Sequence, residues 1–426
     1  MGLTQQISRA IRRHMRLAVV VCLTLAAYAG AISRPQDLPW LVAAMLTATL
    51  IVGLIWPHWL VRRLSVVRHG PHRAEEGESI TFDVAVRNHG LLPRFMVELV
   101  DRLASFDVEA RDDPAAAKTL GIIGYVAGRS TRRFAVPFLC EKRGYYVLEP
   151  IGMASSFPLG LARAWHEAGG NRHTLTVYPS VFPIVRLPLR GAPSEIHRGG
   201  YLLPEGAGAA EFSGLREYRE GDSPRHIHWP TTARTSELMV KQYEPLASAR
   251  LYIVLDLLAS SNLGQGREAT LEYGVRIAAS VARFACFNNI RTRMLAQGAT
   301  RFEVEAASGP HQYQRILDQL AVVAADGDTA YAALLNDVAA RVIDGETVLV
   351  FLSERFDASR TTMDALLMLR SKRANLLAIV FDRTGFIEQV TNHDTQSDQT
   401  MTVLQEIGAA CVRVRRGDDL FQLFNA

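Results

Sequence analysis

A carboxylate and two hydroxyls follow directly after a short apolar run of the chain. The run is Leu251–Leu255, and the next six residues read DLLASS, with Asp256 and Ser260 among them. Oxygen atoms of this kind suit Mg²⁺, which binds a few protein oxygens and keeps several waters. The same side chains could instead cap the following helix and satisfy loop amides without any ion. The segment therefore predicts either a magnesium site or a capped loop, and both interpretations are open.

The surrounding elements place this segment at the edge of a sheet. Further apolar runs of buried parallel-strand character are Thr292–Ala296, Thr347–Leu352 and Leu376–Phe381. Stretches of helical length and periodicity alternate with them: Arg267–Phe287, His311–Val323, Ala330–Ile343 and Thr361–Arg370. Such alternation predicts an open, doubly wound α/β domain over residues 246–426. Ligands of these sheets lie beyond the carboxyl ends of the strands, which is where Asp256 stands.

This arrangement resembles the von Willebrand factor A domain. That family holds a metal ion with Asp-x-Ser-x-Ser on one loop, Thr on a second and Asp on a third. The resemblance implies Mg²⁺ as the cofactor and a ligand set made of Asp256, Ser260, Thr329 and Glu354. Leu258 occupies the position of the first Ser, and the acid of the third loop is the longer Glu354, after Ser353. Because the ligand set is degenerate, we favour capping over metal binding.

Other motifs of catalysis are absent from the sequence. Residues 264–269, GQGREA, match G-x-G-x-x-A, but several residues separate them from the preceding strand and the second strand ends at Gln297 rather than an acid. We interpret them as a helix-entry loop. The chain has no GxxxxGK[ST], HExxH or GxSxG sequence. We therefore expect no enzyme, with a metal-dependent hydrolase using the Asp256 loop as an alternative.

Length and composition indicate several domains and exclude some partners. The chain has 426 residues, more than the ~250 at which single cores stop growing. Its net charge of +4 is small, and the basic residues concentrate near the N-terminus, so no nucleic-acid-binding surface is predicted. The four cysteines form no CxxC pair, so neither a zinc site nor a disulfide framework is indicated.

Two apolar segments near the N-terminus predict a membrane hairpin within residues 1–64. We place its helices near residues 17–33 and 38–56, where neither apolar stretch, Leu17–Ile32 or Leu38–Trp56, carries a charge. A spanning helix needs about 17–25 apolar residues, and the short connection forces two such helices into a tight hairpin.

The flanking charges predict the orientation of this hairpin. Four arginines precede the first segment and three follow the second, against one between them: Arg9, Arg12, Arg13, Arg16, Arg62, Arg63, Arg68 and Arg34. The positive-inside rule then gives a two-pass protein of the inner membrane, with both termini cytoplasmic. The alternative is a cleaved signal peptide, which Ala29-Gly30-Ala31 would suit. The second segment would then cross back inward, so most of the chain is cytoplasmic in either case.

Residues 65–190 show short alternating or β-branched runs broken by Gly, Pro and Asn. The runs are Ser79–Val86, Phe95–Val100, Arg132–Leu139, Tyr145–Leu148 and Thr174–Tyr178. This spacing predicts an antiparallel β-sandwich-like domain. Residues 112–117, DDPAAA, predict a surface loop.

Residues 191–245 contain a segment that is dense in charged and aromatic side chains. Residues 211–229 read EFSGLREYREGDSPRHIHW, with ART at 233–235 and LMVK at 238–241. Locally, we expect Pro224 to open a short helix that ends before Pro230. The segment closely resembles the signature of a bacterial membrane protein family catalogued as domain of unknown function fifty-eight, EF-x-GLREY-x-x-GD-x-x-R-x-IHW-x-x-x-ART.

The resemblance assigns a structural or partner-binding role to the signature residues. They are Arg216, Tyr218, Arg219, Gly221, Asp222, Arg225, His228, Trp229 and Arg234. The arginines could hold an anion, but acidic residues alternate with them, so we favour an ion-pair network.

The resemblance also implies a function and a partner. Such proteins are typically encoded beside MoxR-type AAA+ ATPases, so we expect a membrane-tethered adaptor or scaffold that binds such an ATPase. A structural envelope protein acting through its β-sandwich is a further alternative.

Overall fold

The structure is a computed structural model that divides into two compact units, residues 1–178 and 179–426. It describes residues 2–33, 37–101, 118–167, 170, 172–185, 187, 210–218, 227–235, 237–245, 250–353, 360–387 and 395–425. The expected loop at 112–117 lies outside these residues.

Two long apolar helices open the first unit, as the sequence predicted. They are α1, Gly2–Ser33, and α2, Asp37–Val61. Within them, Met15–Ser33 and Asp37–Val61 are long and apolar enough to cross a membrane, and only 11% of each apolar window is buried. A helix from the core of a soluble protein would be mostly buried, so this exposure favours lipid-facing surfaces. Both helices could therefore span a bilayer, and the Tyr28 hydroxyl meets the Thr47 hydroxyl between them at 3.1 Å.

The rest of the first unit consists of short strands. They are β1 Leu64–His69, β2 Arg73–Glu75, β3 Ser79–Asn88, β4 Arg94–Asp101, β5 Lys118–Val126, β6 Thr131–Leu139, β7 Gly144–Leu148, β8 Gly152–Ser155, β9 Ala164–Glu167 and β10 His173–Tyr178. They form three sheets, in the orders β1-β3-β6, β2-β10-β7 and β5-β4-β8-β9. The five predicted strands are confirmed to within two residues. The pairing is antiparallel except between β10 and β2, which are parallel.

One apolar core joins these three sheets. In β3 the residues alternate between buried and exposed almost throughout, so Phe82, Val84 and Val86 point to the same side. They pack in one cluster with Leu99 of β4 and Leu175 of β10. Alternation of this kind explains why the pattern of the sequence located the strands.

The second unit contains a small hairpin and a larger α/β part. Its elements are β11 Ala210–Glu217, α3 Trp229–Thr235, β12 Met239–Pro245, β13 Arg250–Asp256, α4 Thr270–Phe287, β14 Arg291–Gln297, β15 Arg301–Ala307, α5 Pro310–Val322, α6 Tyr331–Arg341, β16 Thr347–Leu352, α7 Arg360–Ser371, β17 Asn375–Phe381, α8 Arg383–Phe386, α9 Thr395–Glu406, β18 Ala410–Val414 and α10 Leu420–Asn425. The predicted strands and helices of residues 246–426 are confirmed to within about three residues.

A mixed six-stranded sheet organises the α/β part, in the order β15-β14-β13-β16-β17-β18. Five strands are parallel, and β15 pairs with β14 antiparallel at the edge. The edge strand β15 was not predicted from the sequence. Its exposed, charged alternation, RFEVEAA, is typical of a solvated edge strand, which differs from the buried runs of the centre.

Helices cover both faces of this sheet. On one face Leu335 of α6, Leu366 of α7 and Leu404 of α9 pack with Val254 and Val350, and these five side chains are fully buried. Truncating one of these leucines to Ala would cost about 2–5 kcal/mol. On the other face α4 crosses closely, because a Cβ on Gly274 would lie 3.4 Å from the Phe351 ring. These layers hold the carboxyl ends of the strands at fixed positions.

The signature segment forms a strand pair and a helix that the sequence interpretation did not contain. β11 and β12 are antiparallel, with an irregularity between Phe212 and Gly214. The short helix expected to open at Pro224 falls on residues outside the described ones, and α3, which begins at Trp229, is a separate helix that was not predicted. Proline is tolerated in the first turn of a helix, because the N–H it lacks has no partner there.

Candidate functional site

β13 and β16 are neighbouring strands at the carboxyl edge of the mixed sheet. The chain runs from β13 to β14 on one side and returns to β16 on the other, which makes this position a topological switch point. The two strands pair from Leu251–Thr347 to Val254–Val350. Ligands of open α/β sheets bind at such points, so this edge is the candidate site.

Tyr331 lies at the point where these strands separate. Its hydroxyl donates to the carbonyl of Val254 at 2.7 Å and accepts from the amide of Phe351 at 3.2 Å. The side chain is 1% exposed. Both backbone groups are thereby satisfied although the direct ladder has ended. No sequence signal pointed to Tyr331, because this contact arises only when α6 packs on the sheet.

Asp256 is buried at the end of β13 and bonded within its own loop. One carboxylate oxygen accepts from the amide of Leu258 at 3.0 Å, and the other accepts from the hydroxyl of Ser261 at 2.5 Å. Asp256 and Ser261 are 4% and 3% exposed. Ser260, which the resemblance proposed as a ligand, is exposed to solvent. The structure therefore brings Ser261, rather than Ser260, to the carboxylate.

The remainder of this loop is closed by side chains that sequence reasoning missed. The side-chain amide of Asn262 donates through Nδ2 to the carbonyl oxygens of Asp256 and Leu258, at 3.1 and 2.9 Å. The buried Thr270, the first residue of α4, accepts from the amide of Leu263 at 2.9 Å. Gly264 and Gly266 have positive φ angles of 85° and 61°. A 3₁₀ turn, Gly266–Glu268, then leads into α4, so the helix-entry interpretation of G-x-G-x-x-A is confirmed.

A second loop, before α6, lies directly against the first. The amide of Gly327 donates to the Leu257 carbonyl, and the Gly327 carbonyl accepts from Ala259, both at 3.0 Å. A Cβ on Gly327 would lie 2.9 Å from the carbonyl oxygen of Gln297, closer than a side chain tolerates. Thr329, the proposed ligand of this loop, is half-buried and its hydroxyl is 3.4 Å from the Asp328 carboxylate.

A third loop begins at the end of β16. Ser353 is 3% exposed, and its carbonyl accepts from the guanidinium of Arg383. Glu354, the proposed acid of this loop, lies outside the described residues. Among the residues that are described, no group of three or more His, Cys, Asp or Glu side chains could hold a metal ion.

Two tyrosines of the second unit, Tyr252 and Tyr273, have raised pKa values. Burial raises the pKa of Tyr252 to about 12. Burial also raises the pKa of Tyr273, whose hydroxyl donates to Glu268 at 2.8 Å and accepts from the amide of Gly417 at 2.8 Å. Both hydroxyls are neutral at physiological pH and stabilise the structure as ordinary hydrogen-bonding or packing groups.

Three of the four cysteines have thiols with raised pKa values. Burial raises the pKa of Cys140, Cys286 and Cys411 to about 11. Thiolate, the nucleophilic form, is then scarce near neutral pH.

The structure describes some of the signature residues, including Tyr218, His228 and Trp229. The His228 ring bonds the Thr231 hydroxyl through Nδ1 at 2.8 Å, and its backbone amide donates to the Met239 carbonyl at 2.8 Å. Its carbonyl accepts from the amides of Thr231 and Thr232 and so closes the first turn of α3, while the Met239 amide donates to the Thr232 hydroxyl at 3.0 Å and joins this turn to β12. The amide of Tyr218 donates to the carbonyl of Leu238 at 2.7 Å.

The aromatic side chain that follows His228 faces solvent. Trp229 is 63% exposed, and Leu238 is 44% exposed. Arg234 is also exposed. Arg216 belongs to β11 and pairs through its backbone with Val240. Arg219, Gly221, Asp222 and Arg225 lie outside the described residues, so the ion-pair network stays a prediction.

These features define a chain with two apolar N-terminal helices, a β-rich unit, and an α/β unit whose sheet edge carries a closed polar loop. Residues 214–410 match the family described as "Protein of unknown function DUF58". The resemblance drawn from the signature is thereby confirmed for this part of the chain.

Known proteins show weaker similarity to the chain. The uncharacterized protein YeaD of Bacillus subtilis (strain 168) is 26% identical over 108 residues, which are 25% of this chain and 25% of that protein. The chain thus matches about a quarter of that relative's length.

Solved structures resemble parts of the chain only distantly. A CARDB domain from Pyrococcus furiosus is 10% identical, with 27% of this chain and 94% of that domain covered and a TM-score of 0.20. Proximal thread matrix protein 1 from the mussel byssus is 13% identical, with 42% and 46% covered and a TM-score of 0.31. At these scores the likeness carries no information about function.

Proposed function

We propose that the chain is a membrane-tethered adaptor whose signature segment binds a protein partner, a MoxR-type AAA+ ATPase. The observation that carries the proposal is the exposure of Trp229, 63%, in a segment that hydrogen bonds hold in place. Aromatic side chains on preorganised surfaces are typical anchors of protein interfaces. The kind of partner comes from the family resemblance alone.

The closed loop at the sheet edge supports binding rather than catalysis. Both carboxylate oxygens of Asp256 accept hydrogen bonds from its own loop, and its hydroxyl partner Ser261 is buried with it. A general base or nucleophile must reach a substrate, and these two groups are directed to each other. This geometry supports an adaptor over a hydrolase.

The finer assignments of fold belong to the same proposal. We propose that the α/β part is von Willebrand A-like, which its topological switch point and Asp256 loop support. The β-rich unit is proposed to be sandwich-like, because three sheets share one apolar core. A sandwich needs two facing layers of sheet, and a shared core is the packing that such layers produce.

The proposal also includes the orientation of the two apolar helices in the membrane. We propose that both termini of the chain are cytoplasmic, with α1 and α2 crossing the inner membrane, on the basis of the arginines that flank them. Protease treatment of intact cells should leave the C-terminus undigested. Digestion from outside would refute this orientation.

The partner is tested by affinity capture from detergent-solubilised membranes with a purified MoxR-type ATPase as the probe. Trp229→Ala should weaken binding ~30-fold, as expected when an interface anchor worth about 2 kcal/mol is removed. Phe287→Ala is the matched control, since Phe287 is an aromatic of similar exposure, 60%, in the same unit but outside the signature. We expect Phe287→Ala to bind like the parent chain.

Three outcomes contradict the adaptor proposal. One is recovery of the ATPase no better than with an unrelated membrane-tethered domain. Another is equal binding by the Trp229 and Phe287 variants. The third is turnover of ester or phosphoester substrates that Asp256→Ala abolishes, which would support the hydrolase.

A further inference from the structure

A groove of about 530 Å³ lies between α1, α2 and the loop that follows β8. This volume falls within the ~300–1,000 Å³ typical of small-molecule sites. Its walls are almost entirely apolar, with Val19 and Val20 from α1 and Leu159 and Leu161 from the loop. The polar lining groups are Arg16 and Thr49. One end of the groove is therefore cationic and the rest is hydrophobic.

The loop is built against the apolar helices. A Cβ added to Gly53 of α2 would lie 2.6 Å from the Leu161 side chain, which shows how closely the loop packs there. A hydrogen bond of 2.8 Å from the amide of Gly160 to the carbonyl of Ser156 closes the loop. Phe157 and Leu159 remain 37% and 44% exposed.

The position of the groove along the helices identifies its surroundings. Met15 and Arg16 begin the candidate span Met15–Ser33, so the groove lies at one end of the apolar stretch. Phospholipid phosphates occupy this level of a bilayer, and acyl chains lie beyond it. Exposed apolar side chains such as Val19, 54% exposed, would be unfavourable in water but are suited to hydrocarbon.

The charge of Arg16 is available to a ligand. Its side chain is exposed and makes no ion pair or hydrogen bond with any residue that the structure describes. Guanidinium groups bind phosphate oxygens in a bidentate manner, and basic pockets between transmembrane helices on the cytoplasmic side bind anionic head groups.

We propose that this groove binds one anionic phospholipid, with its phosphate at Arg16 and one acyl chain along Val19, Val20 and Leu161. The site would attach the β-rich unit to the lipid by the loop of residues 156–161. This inference rests on the proposed membrane insertion of α1 and α2, and it does not depend on the ATPase partner.

The test uses the full chain in detergent micelles, delipidated and then titrated with phosphatidylglycerol or phosphatidylcholine, with bound lipid counted by native mass spectrometry. We expect saturable binding of one phosphatidylglycerol. Arg16→Gln should weaken it about tenfold and remove the preference over phosphatidylcholine, since a charge-assisted contact to phosphate is lost. Arg62→Gln, which removes another exposed arginine charge that does not line the groove, should leave binding unchanged.

A second variant tests the apolar half of the site. Val19→Trp fills the groove from an exposed position, so it should fold normally by circular dichroism and lose binding of both lipids. Equal affinities of the two lipids for the parent chain, equal effects of the two arginine variants, or dimers instead of bound lipid would each overturn the proposal. ATPase capture by the same variants is measured separately, so failure of the lipid site and failure of the adaptor function are distinguishable.

Discussion

Removing the hydroxyl of Tyr331 tests whether this residue holds the ends of β13 and β16 together. In Tyr331→Phe the ring still fills its place, but the carbonyl of Val254 and the amide of Phe351 lose hydrogen bonds of 2.7 and 3.2 Å. Each buried group left unsatisfied costs about 1–3 kcal/mol. Because the site is 1% exposed, water cannot replace the hydroxyl without local opening. We expect destabilisation of about 2–4 kcal/mol in this region.

The assay is hydrogen exchange of the full chain in detergent, followed by mass spectrometry of peptides that contain Phe351. A loss of 2 kcal/mol should raise their exchange rate ~30-fold if they exchange by opening of this region. The matched control is Tyr252→Phe, because Tyr252 is a buried tyrosine of the same core cluster whose hydroxyl bonds none of the described residues. Its ring keeps the contact with Arg293, whose guanidinium carbon is 3.8 Å from the ring centroid.

The control should shift stability by less than about 1 kcal/mol. If both tyrosine variants exchange at the parent rate around Phe351, the hydroxyl does not support the strand ends. If both accelerate exchange equally, the effect belongs to core packing rather than to the bridge. Only a selective effect of Tyr331→Phe supports the reasoning.

Three further changes test the loops and the end of the fold. Gly327→Ala should destabilise the chain by about 1–3 kcal/mol in thermal unfolding, because the added Cβ would clash with the carbonyl oxygen of Gln297. The control is Gly124→Ala, where no atom lies within 4 Å of the added Cβ, and an equal loss of stability in both variants would contradict the steric explanation. Asn425→Ala should cost about 1–2 kcal/mol, since the amide bonds Pro183 and Val185 at 2.9 and 2.7 Å, and unchanged urea unfolding would refute this contribution. Isothermal titration of Mg²⁺ should show no saturable binding, and binding that Asp256→Ala abolishes would reverse our preference for a capped loop.

The elements of this chain were predictable where one kind of periodicity continued for long enough. Buried runs such as Leu251–Leu255 became β13, and the alternation in Ser79–Val86 became β3, since tertiary packing agrees there with the local pattern. The apolar segments became α1 and α2 for the same reason. The nine strands and the four helices of the α/β part that were inferred from such runs needed only small changes of boundary.

The signature segment was harder to predict, because its charges conceal the pattern of a strand. In β11 the irregularity between Phe212 and Gly214 shifts the alternation by one residue, so one periodicity does not continue across the strand. Trp229 and Pro230 begin a helix that was not predicted, and hydrogen bonds from the His228 amide to the Met239 carbonyl and from the Met239 amide to the Thr232 hydroxyl hold it to β12. Those bonds join residues from separate elements, and their spacing in the sequence gives no sign of them.

The candidate site was predictable in place but not in detail. Strand order placed Asp256 at a carboxyl edge, whereas the hydroxyl partner depended on the exact path of the loop. A spacing of Asp-x-Ser-x-Ser favours Ser260, but the turn after Leu258 directs Ser261 inward, with its amide bonded to the Leu258 carbonyl at 3.2 Å. A shift of one residue along the loop decides whether Ser260 or Ser261 is buried.

The leucine in this loop shows why the edge is better suited to structure than to metal binding. At the position where a von Willebrand A-like site has its first serine, Leu258 pairs through its backbone with Gly327 of the second loop. Its amide also donates to Asp256, and its carbonyl accepts from Asn262. An ion at Asp256 would compete with these bonds and with the hydroxyl of Ser261, and Leu258 offers it no oxygen from its side chain. The loop therefore stabilises itself through the bonds that a metal would have to replace, which supports the interpretation of a capped loop.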